Sequence, residues 1–464
     1  MHRIGLLVVI ALAAATFLWT GDVGTSGTAS SQEPALAIRN GRLFDATGAA
    51  PIEDGVVLIE GDRIVAAGRA DEVTIPAHAA TIDAAGGLIM PGIIDSHVHL
   101  TEPLAFQPQD ILTPWLYAGV TTLVDNGTIR DGIVVGGVTI DDGVAAFRGL
   151  IDGVAVEPPR VLVAGPMLTA PEGYPATRPE PQHALVAQEV TSPEDARARV
   201  ARLLDEQDAD FIKVAIEAGF DADYDDPEWP VLPPETLAAI AEAVHERGRT
   251  VRAHVTQIEE FRAALEASFD VAAHTPLVPL PDDLLQQAAD ADMILVSTSN
   301  IVWEVEESAA AVQAVVQSNL TRYADLGGRV ALGTDFPFQA GSEMPVGEMQ
   351  VLVEGGLSPV EVLVAATKHG AEAVGRGDDL GTLEPGKLAD IIVVDGDPLS
   401  DIADMANVSV VVLAGETVVP ALSLPNTGGG LTSGERPVWP VPIAVLVAAG
   451  ALLAGAGVLT ARRR

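Results

Sequence analysis

The sequence contains no cysteine, and only 26 of its 464 residues are lysine or arginine, against 65 aspartate and glutamate residues. The absence of cysteine excludes a disulfide framework and any thiolate metal site, so a metal ion would need nitrogen and oxygen ligands. The formal net charge of −39 disfavours a nucleic acid as a partner. The acidity is compatible with a saline habitat, while scarce lysine and abundant arginine also follow from a GC-rich genome.

The N-terminus lacks an apolar run of the length that a membrane span usually needs, about 20 residues. Residues 4–19 are apolar, follow Arg3, and precede a small and polar stretch that reaches Ser31. This order is typical of a secretory signal peptide, and we expect residues 1–30 to be removed. An uncleaved membrane anchor is the alternative.

The C-terminus carries a second targeting pattern. A Leu-Pro-Asn-Thr-Gly motif, made of Leu424, Pro425, Asn426, Thr427 and Gly428, precedes an uncharged apolar run and three terminal arginines. This order resembles the sorting signal of wall-anchored proteins in Gram-positive-type bacteria. There, a sortase-type transpeptidase cuts between Thr and Gly and joins the protein to the cell wall. A plain membrane anchor with a basic tail is the alternative, and both interpretations place the protein body outside the cell.

Between these termini, the sequence changes from β-rich to alternating and back to β-rich. Residues 31–88 and 377–420 contain short apolar runs separated by turn pairs such as Asp-Gly, which predicts one small β-sandwich domain formed by both flanks. Residues 89–376 contain eight strand-like runs with helical segments between them, the pattern of an α/β protein with a (β/α)8 TIM barrel. Residues 421–437 form a linker, and residues 438–464 form the C-terminal apolar segment and its tail. Helices are predicted over residues 110–118, 142–151, 192–207, 233–247, 258–267, 281–289 and 309–326.

Polar residues occur at the ends of five of these strand-like runs. Two histidines lie two residues apart in PGIIDSHVHL, so both side chains project from the same face of a strand and can bind one ion. Because catalytic residues collect at the carboxyl ends of barrel strands, we expect all these residues to meet at one mouth. Imidazole and carboxylate groups suit zinc and similar divalent ions. The candidate metal ligands are His97, His99, Lys213, His254, His274 and Asp335.

Lys213 lies inside the apolar run Phe-Ile-Lys-Val-Ala and is one of only three lysines in the chain. A buried ammonium group is unfavourable unless it is paired or neutralised. A deprotonated lysine can add carbon dioxide to form a carbamate, an anion that is able to bridge two cations. The alternative is an ion pair with an acid of the same barrel, such as Glu217.

The motifs PGIIDSHVHL and GTLEPGKLADIIVVDGDPLSDI resemble the amidohydrolase superfamily, and the resemblance covers about residues 35–420. The chain is most similar to the binuclear group with a carboxylated lysine, the imidazolonepropionase-like and prolidase-like amidohydrolases. The resemblance implies that the histidine pair of the first strand binds the more buried of two zinc ions. His254 and His274 would bind the second ion, Lys213 as its carbamate would bridge the two, and Asp335 would bind the first ion and transfer protons.

The resemblance implies a hydrolase that uses a metal-bridged hydroxide to cleave a carbon–nitrogen bond. Asp335 would carry the proton from the hydroxide to the leaving nitrogen. We therefore expect a secreted, surface-anchored enzyme that acts on a small amide, peptide or cyclic amide. The alternatives are a non-catalytic surface binding protein on the same barrel, and a hydrolase of esters or phosphoesters.

One departure from the family pattern leaves the substrate open. Prolidase-like relatives often carry a Gly-Gly-His stretch after the third strand, whereas residues 170–174 read Ala-Pro-Glu-Gly-Tyr. Polar residues of this loop and of the end of the seventh strand are candidate substrate contacts, although such residues also occur on loop surfaces or bond to the local backbone. They are Tyr174, Arg178, His183, Ser297 and Thr298.

Overall fold

Parallel strands that alternate with helices form the central part of this protein in the computed structural model. The predicted signal peptide, sorting motif and C-terminal apolar segment lie outside the described residues. Among the residues that are described, no helix is long and apolar enough to cross a membrane. The structure describes residues 35–101, 108–135, 138–178, 181–219, 229–300, 309–337 and 343–418.

The described ranges contain twenty β-strands. They are β1 (Ala35–Leu43), β2 (Ile52–Glu60), β3 (Arg63–Arg69), β4 (Ala80–Asp83), β5 (Leu88–Pro91), β6 (Ile93–Val98), β7 (Val120–Asp125), β8 (Ile133–Val135), β9 (Val138–Ile140), β10 (Arg160–Val163), β11 (Met167–Thr169), β12 (Ala187–Glu189), β13 (Ile212–Ala215), β14 (Val251–His254), β15 (Val271–Ala272), β16 (Ile294–Val296), β17 (Arg329–Ala331), β18 (Ile391–Val394), β19 (Val408–Leu413) and β20 (Glu416–Val418).

Eleven α-helices accompany these strands in the same ranges. They are α1 (Pro108–Ala118), α2 (Gly143–Asp152), α3 (Pro181–Leu185), α4 (Pro193–Ala201), α5 (Pro234–His245), α6 (Ile258–Glu266), α7 (Asp282–Asp290), α8 (Ala309–Asp325), α9 (Val346–Glu354), α10 (Pro359–Val364) and α11 (Gly370–Glu372).

The segments before and after the α/β region share one eight-stranded sheet. Its strand order is β20-β19-β18-β5-β1-β2-β3, and β4 pairs with β1. The junction between the two segments is the antiparallel pair β5–β18, in which Pro91 lies opposite Ile391. Apolar side chains from both segments, including Ile38, Val57 and Val393, form a core on this sheet. Because β6 begins immediately after β5, this sheet positions the start of the strand that carries the histidine pair.

The α/β region contains two parallel sheets, ordered β10-β7-β6 and β12-β11-β13-β14-β15-β16-β17. Backbone hydrogen bonds join them at two places. The amide of Asp210 donates to the carbonyl of Val163 at 2.8 Å, and the amide of Ser96 donates to the carbonyl of Leu332 at 2.9 Å. With helices between consecutive strands, the region has the α/β, TIM-barrel-like arrangement that the alternating sequence predicts.

The helix boundaries follow local signals in the sequence. Ser192 accepts a hydrogen bond from the amide of Asp195 and caps α4, so this helix begins where the predicted helix over residues 192–207 begins. The predicted helix over residues 192–207 is α-helical only as far as Ala201 and continues as a π-helical turn, Arg202–Glu206. The turn and the residue after it bring Arg202 and Gln207 within hydrogen-bonding distance of Asp131, a residue far away in the sequence.

The parallel strands are buried on both faces. Every residue of β6, β7, β13 and β14 is buried, as expected for parallel strands that are covered on both faces. Polar side chains in such strands therefore lie in a low-dielectric interior, where they need partners or a function.

We predict that Gly92→Ala destabilises the protein by about 1–3 kcal/mol, the range for forcing extra volume into a packed core. Gly92 joins β5 to β6, and an added Cβ would overlap the buried side chain of Thr121. Denaturant unfolding of the full chain measures the effect. Gly68→Ala is the matched control, since its added Cβ would meet no atom closer than 3.8 Å. An unchanged unfolding midpoint for the Gly92 variant would contradict this packing.

Candidate metal centre

Three of the predicted ligands meet where β6 and β17 end. The Nε2 atoms of His97 and His99 are 3.3 Å apart, and they lie 3.3 and 3.2 Å from Oδ1 of Asp335. Ligands placed tetrahedrally about 2.0–2.1 Å from a zinc ion are separated by about 3.3–3.4 Å. The triangle therefore has the edge lengths of one face of a zinc tetrahedron, and the three side chains fit a single ion. Among the described residues, this is the group of three side chains that could hold a metal.

Backbone pairing between the two strand ends produces this triangle. The amide of Asp335 donates to the carbonyl of His97 at 2.7 Å, and the amide of His99 donates to the carbonyl of Phe336 at 2.7 Å. Asp335 has a left-handed backbone with a φ of 59°, a conformation that aspartate tolerates better than most residues. These bonds fix the carboxylate opposite the two imidazoles.

Asp95, which the sequence analysis did not single out, connects the same two strand ends by its side chain. Its carboxylate accepts hydrogen bonds from the amide and the hydroxyl of Thr334, at 3.0 and 2.7 Å, and from the amide of His97 at 3.2 Å. Burial raises the pKa of Asp95 to about 7. The signal that could have revealed it is an aspartate inside the apolar strand Ile-Ile-Asp-Ser-His-Val.

The interior of the site favours neutral imidazoles. Burial lowers the pKa of His97 well below its ordinary value, and it lowers the pKa of His274 to about 3. Burial opposes ionisation of Asp335, but the neighbouring His274, His99 and Lys213 hold the pKa of this carboxyl below its usual range. Neutral imidazole and ionised carboxylate are the protonation states that a divalent ion needs from its ligands.

Lys213 is fully buried on β13, and its Nζ donates a hydrogen bond to the carbonyl of Ala273 at 3.1 Å. Burial lowers the pKa of Lys213 well below its ordinary value, and the buried guanidinium of Arg252 acts in the same direction. Within the described part of the chain, no ion pair joins Lys213 to Glu217. The Glu217 carboxylate instead lies 3.1 Å from Nε2 of His254.

His274 adjoins the triangle on the side of the second carboxylate oxygen, and His254 lies beside His274. Their ring centroids are 4.9 Å apart, and the His274 ring stacks on His97 at 4.9 Å. Nε2 of His274 is 4.0 Å from Oδ2 of Asp335. These two histidines do not form a second group of three ligands with the described carboxylates. A second ion would therefore need a further ligand from another source.

An aromatic wall, which we define as Tyr174 and Trp229, lies beside the histidines. The Tyr174 ring stacks on His254 with centroids 4.7 Å apart, and Trp229 packs against Tyr174 at 5.2 Å. The guanidinium carbon of Arg178 lies 5.9 Å from the centre of the Tyr174 ring. Two of the predicted substrate contacts are thus next to the metal centre, and Trp229 is a neighbour that sequence reasoning missed.

The other predicted substrate contacts have different surroundings. Ser297 is buried, and its hydroxyl accepts a hydrogen bond from the amide of Gly333 at 3.3 Å. The hydroxyl of Thr298 lies 2.8 Å from Nδ1 of His274, so this residue orients a candidate ligand. His183 lies on the short helix α3.

Comparison with known proteins places these residues in a family. Residues 88–418 match the amidohydrolase family. The chain is 27% identical to an adenine deaminase of Chelativorans sp. (strain BNC1), in a match that covers 78% of this chain but only 54% of the deaminase. It is 26% identical to an imidazolonepropionase of Geobacillus sp. (strain WCH70), over 74% of this chain and 84% of that protein.

A solved structure shares the fold. A Xaa-Pro dipeptidase with methionine bound in its active site superimposes with a TM-score of 0.69 at 20% identity, covering 83% of this chain and 99% of the dipeptidase. The motifs PGIIDSHVHL and GTLEPGKLADIIVVDGDPLSDI predicted this superfamily from the sequence. Since the family match spans most of the chain, this protein belongs to the amidohydrolase family and is an enzyme whose homologues act on carbon–nitrogen bonds.

Proposed function

We propose that this protein is a metal-dependent hydrolase that cleaves an amide, peptide or cyclic amide bond of a small substrate. The observation that carries the proposal is the triangle of His97, His99 and Asp335, whose edges of 3.2–3.3 Å suit one zinc ion. The imidazolonepropionase and the Xaa-Pro dipeptidase among its relatives support a carbon–nitrogen bond as the target.

We propose that the site holds two ions. The triangle would hold the first ion, and His254 with His274 would hold the second. When bound, divalent ions lower the pKa of water to about 7 and polarise a carbonyl group. The carboxylate of Asp335 faces both histidine groups, so it is placed to take a proton from the attacking water and to deliver it to the leaving nitrogen. A carbon–oxygen bond forms, the carbon–nitrogen bond breaks, and the proton ends on the amine.

Lys213 would supply the further ligand for the second ion as a carbamate. Its neutral amine adds carbon dioxide, a nitrogen–carbon bond forms, and one proton leaves to solvent, which produces an anion with two oxygens. Burial supports this step because it lowers the pKa of Lys213 and therefore favours the amine over the ammonium. The carbamate would also explain why a lysine occupies a fully buried strand position.

We also propose an architecture for the α/β region and the two β-rich flanks. The hydrogen bonds from Asp210 to Val163 and from Ser96 to Leu332 support closure of the two parallel sheets into one (β/α)8 barrel. The sheet shared by both flanks supports a small accessory β-sandwich domain, built from residues 31–88 and 377–420.

Tyr174 and Arg178 are the proposed substrate contacts. The ring of Tyr174 stacks on His254, and Arg178 lies over that ring, so a guanidinium group is close to the proposed second ion. Guanidinium groups bind carboxylates through paired, charge-assisted hydrogen bonds. We therefore propose a substrate that carries a carboxylate near the bond that is cleaved, as in an N-acyl amino acid or a dipeptide. The contact predicted for Ser297 stays a prediction.

We also propose that the enzyme works outside the cell, anchored to the cell wall by a sortase-type transpeptidase. The order of the N-terminal apolar run, the Leu424–Gly428 motif, the apolar run at 441–459 and the terminal arginines supports this location.

We expect the purified protein to contain about two divalent ions per chain, because the ligands form two neighbouring groups. Elemental analysis measures this content. Chelation is expected to abolish amide hydrolysis, and zinc added with bicarbonate is expected to restore it. Less than one ion per chain, with no gain in hydrolysis on adding zinc, would favour a surface binding protein instead.

Lys213→Ala tests the bridging carbamate by the same measurements of metal content and hydrolysis. We expect this variant to lose the second ion and most of the activity. Lys387→Ala is the matched control, since Lys387 bonds to the carbonyl of Gly377 away from the site. Supplying ¹³C-bicarbonate should give a carbamate carbon signal by NMR in the parent and the control. Full metal content in the Lys213 variant would rule out its bridging role.

We predict that Arg178→Met lowers kcat/KM for N-acyl amino acids by about 10- to 100-fold, the loss of a hydrogen bond to a charged group worth about 1.5–3 kcal/mol. Hydrolysis of the matching neutral carboxamides should change little. Arg197→Met, which removes an exposed arginine paired with Glu242, is the control. Equal losses on both substrate types would show that Arg178 does not recognise the carboxylate, even if hydrolysis remains zinc-dependent.

We expect Thr427→Ala to abolish covalent attachment to the wall, because the transpeptidase joins the threonine carboxyl to a wall amine. In cell fractionation, the parent protein should be released by a wall-degrading enzyme and not by detergent, and the variant by detergent alone. Detergent release of the parent protein would instead indicate a plain membrane anchor.

A further inference from the structure

A buried carboxylate lies directly behind His254. Glu217 follows β13, and its side chain is 0% exposed. Its Oε2 lies 3.1 Å from Nε2 of His254 and accepts a hydrogen bond from the hydroxyl of Thr256 at 2.8 Å. Its Oε1 accepts from the amide of Gly219 at 2.9 Å. Both carboxylate oxygens are therefore bonded, one of them to a candidate metal ligand.

A second carboxylate holds this arrangement in place. Glu260, on α6, accepts hydrogen bonds from the amide of Ala218 at 2.8 Å, from the amide of Thr256 at 2.7 Å and from the amide of Gln257 at 3.0 Å. It thus fixes the loop that follows Glu217 and the loop that follows His254. The hydrogen bonds of Glu260 therefore hold the backbone on both sides of the contact between Glu217 and His254.

The contact determines which ring nitrogen His254 can present to an ion. An imidazole has two ring nitrogens, and the hydrogen bond at one of them decides the role of the other. Because Nε2 of His254 bonds to Glu217, Nδ1 is the nitrogen that would coordinate. His274 has the opposite arrangement, since its Nδ1 lies 2.8 Å from the hydroxyl of Thr298 and its Nε2 points toward Asp335.

We propose that Glu217 is a positioning residue for the second metal ion. By accepting a hydrogen bond from Nε2 of His254, it fixes the tautomer and orientation of the ring and increases the basicity of Nδ1. In this role Glu217 acts on the ion through the ring of His254. The inference rests on the proposed function, because it requires the second ion that His254 and His274 would hold.

This role makes a prediction that a purely structural role does not make. A carboxylate that only stabilises the fold would, when removed, weaken the binding of both ions together and lower the unfolding temperature. A carboxylate that orients His254 would, when removed, weaken the second ion selectively, because the triangle of His97, His99 and Asp335 does not include His254.

The test is a stepwise zinc titration of the metal-depleted full chain. We expect Glu217→Ala to weaken the second binding step by about 100-fold and Glu217→Gln by about tenfold, within the range known for such partners of metal-bound histidines. The first step should stay unchanged in both. Glu242→Gln is the control, since Glu242 is an exposed carboxylate on α5 paired with Arg197, and it should leave both steps unchanged.

The outcomes separate this inference from the proposed function. If the parent protein binds no zinc, the proposed function fails and the inference fails with it. If the parent binds two ions and both Glu217 variants bind the second ion equally well, only the inference is wrong. Equal weakening of both steps, with a lower unfolding temperature of the metal-free protein, would also overturn it. Should the alanine variant fail to fold, the glutamine variant, which keeps the size of the side chain, decides the question.

Discussion

The candidate centre depends on the pairing between the end of β6 and the loop after β17. Two backbone hydrogen bonds of 2.7 Å connect these segments, and the Asp95 carboxylate adds a side-chain connection to Thr334. Since the histidine pair belongs to one segment and Asp335 to the other, the distances within the triangle follow directly from this register. A shift by one residue would point His97 and His99 away from the carboxylate.

Burial changes the protonation of polar residues in these strands. In a strand covered on both faces, the charged form of a lone side chain is unfavourable, so burial lowers the pKa of His97 and of Lys213 and favours their neutral forms. The same environment makes each polar group depend on a specific partner. Asp95 meets that need with Thr334, and Glu217 meets it with His254 and Thr256.

Much of this arrangement could be predicted from sequence because it follows local patterns. The alternation of strand-like runs with helical segments predicted α5 and α6 to within two residues, and the spacing of the histidine pair predicted a shared face. The π-helical turn after α4 and the short strands β11 and β12 were not predicted, since segments of three to five residues carry little periodicity. The partners of Glu217 and Asp95 depend on contacts between distant segments, and Asp95 is 239 residues from Thr334.

The long separation in sequence between the two strand ends also affects how a bound ion would change the stability of the fold. An ion held by His97, His99 and Asp335 would join the first and last strands of the α/β region and close a loop that contains most of the domain. In the unfolded chain these ligands are far apart, so the ion would bind the folded state almost exclusively. At a free metal concentration 1,000 times the Kd, such binding would add about 4.1 kcal/mol to the free energy of unfolding. The ion would thus act as a cross-link between the strand ends, and loss of metal would lower the stability of the fold together with the activity.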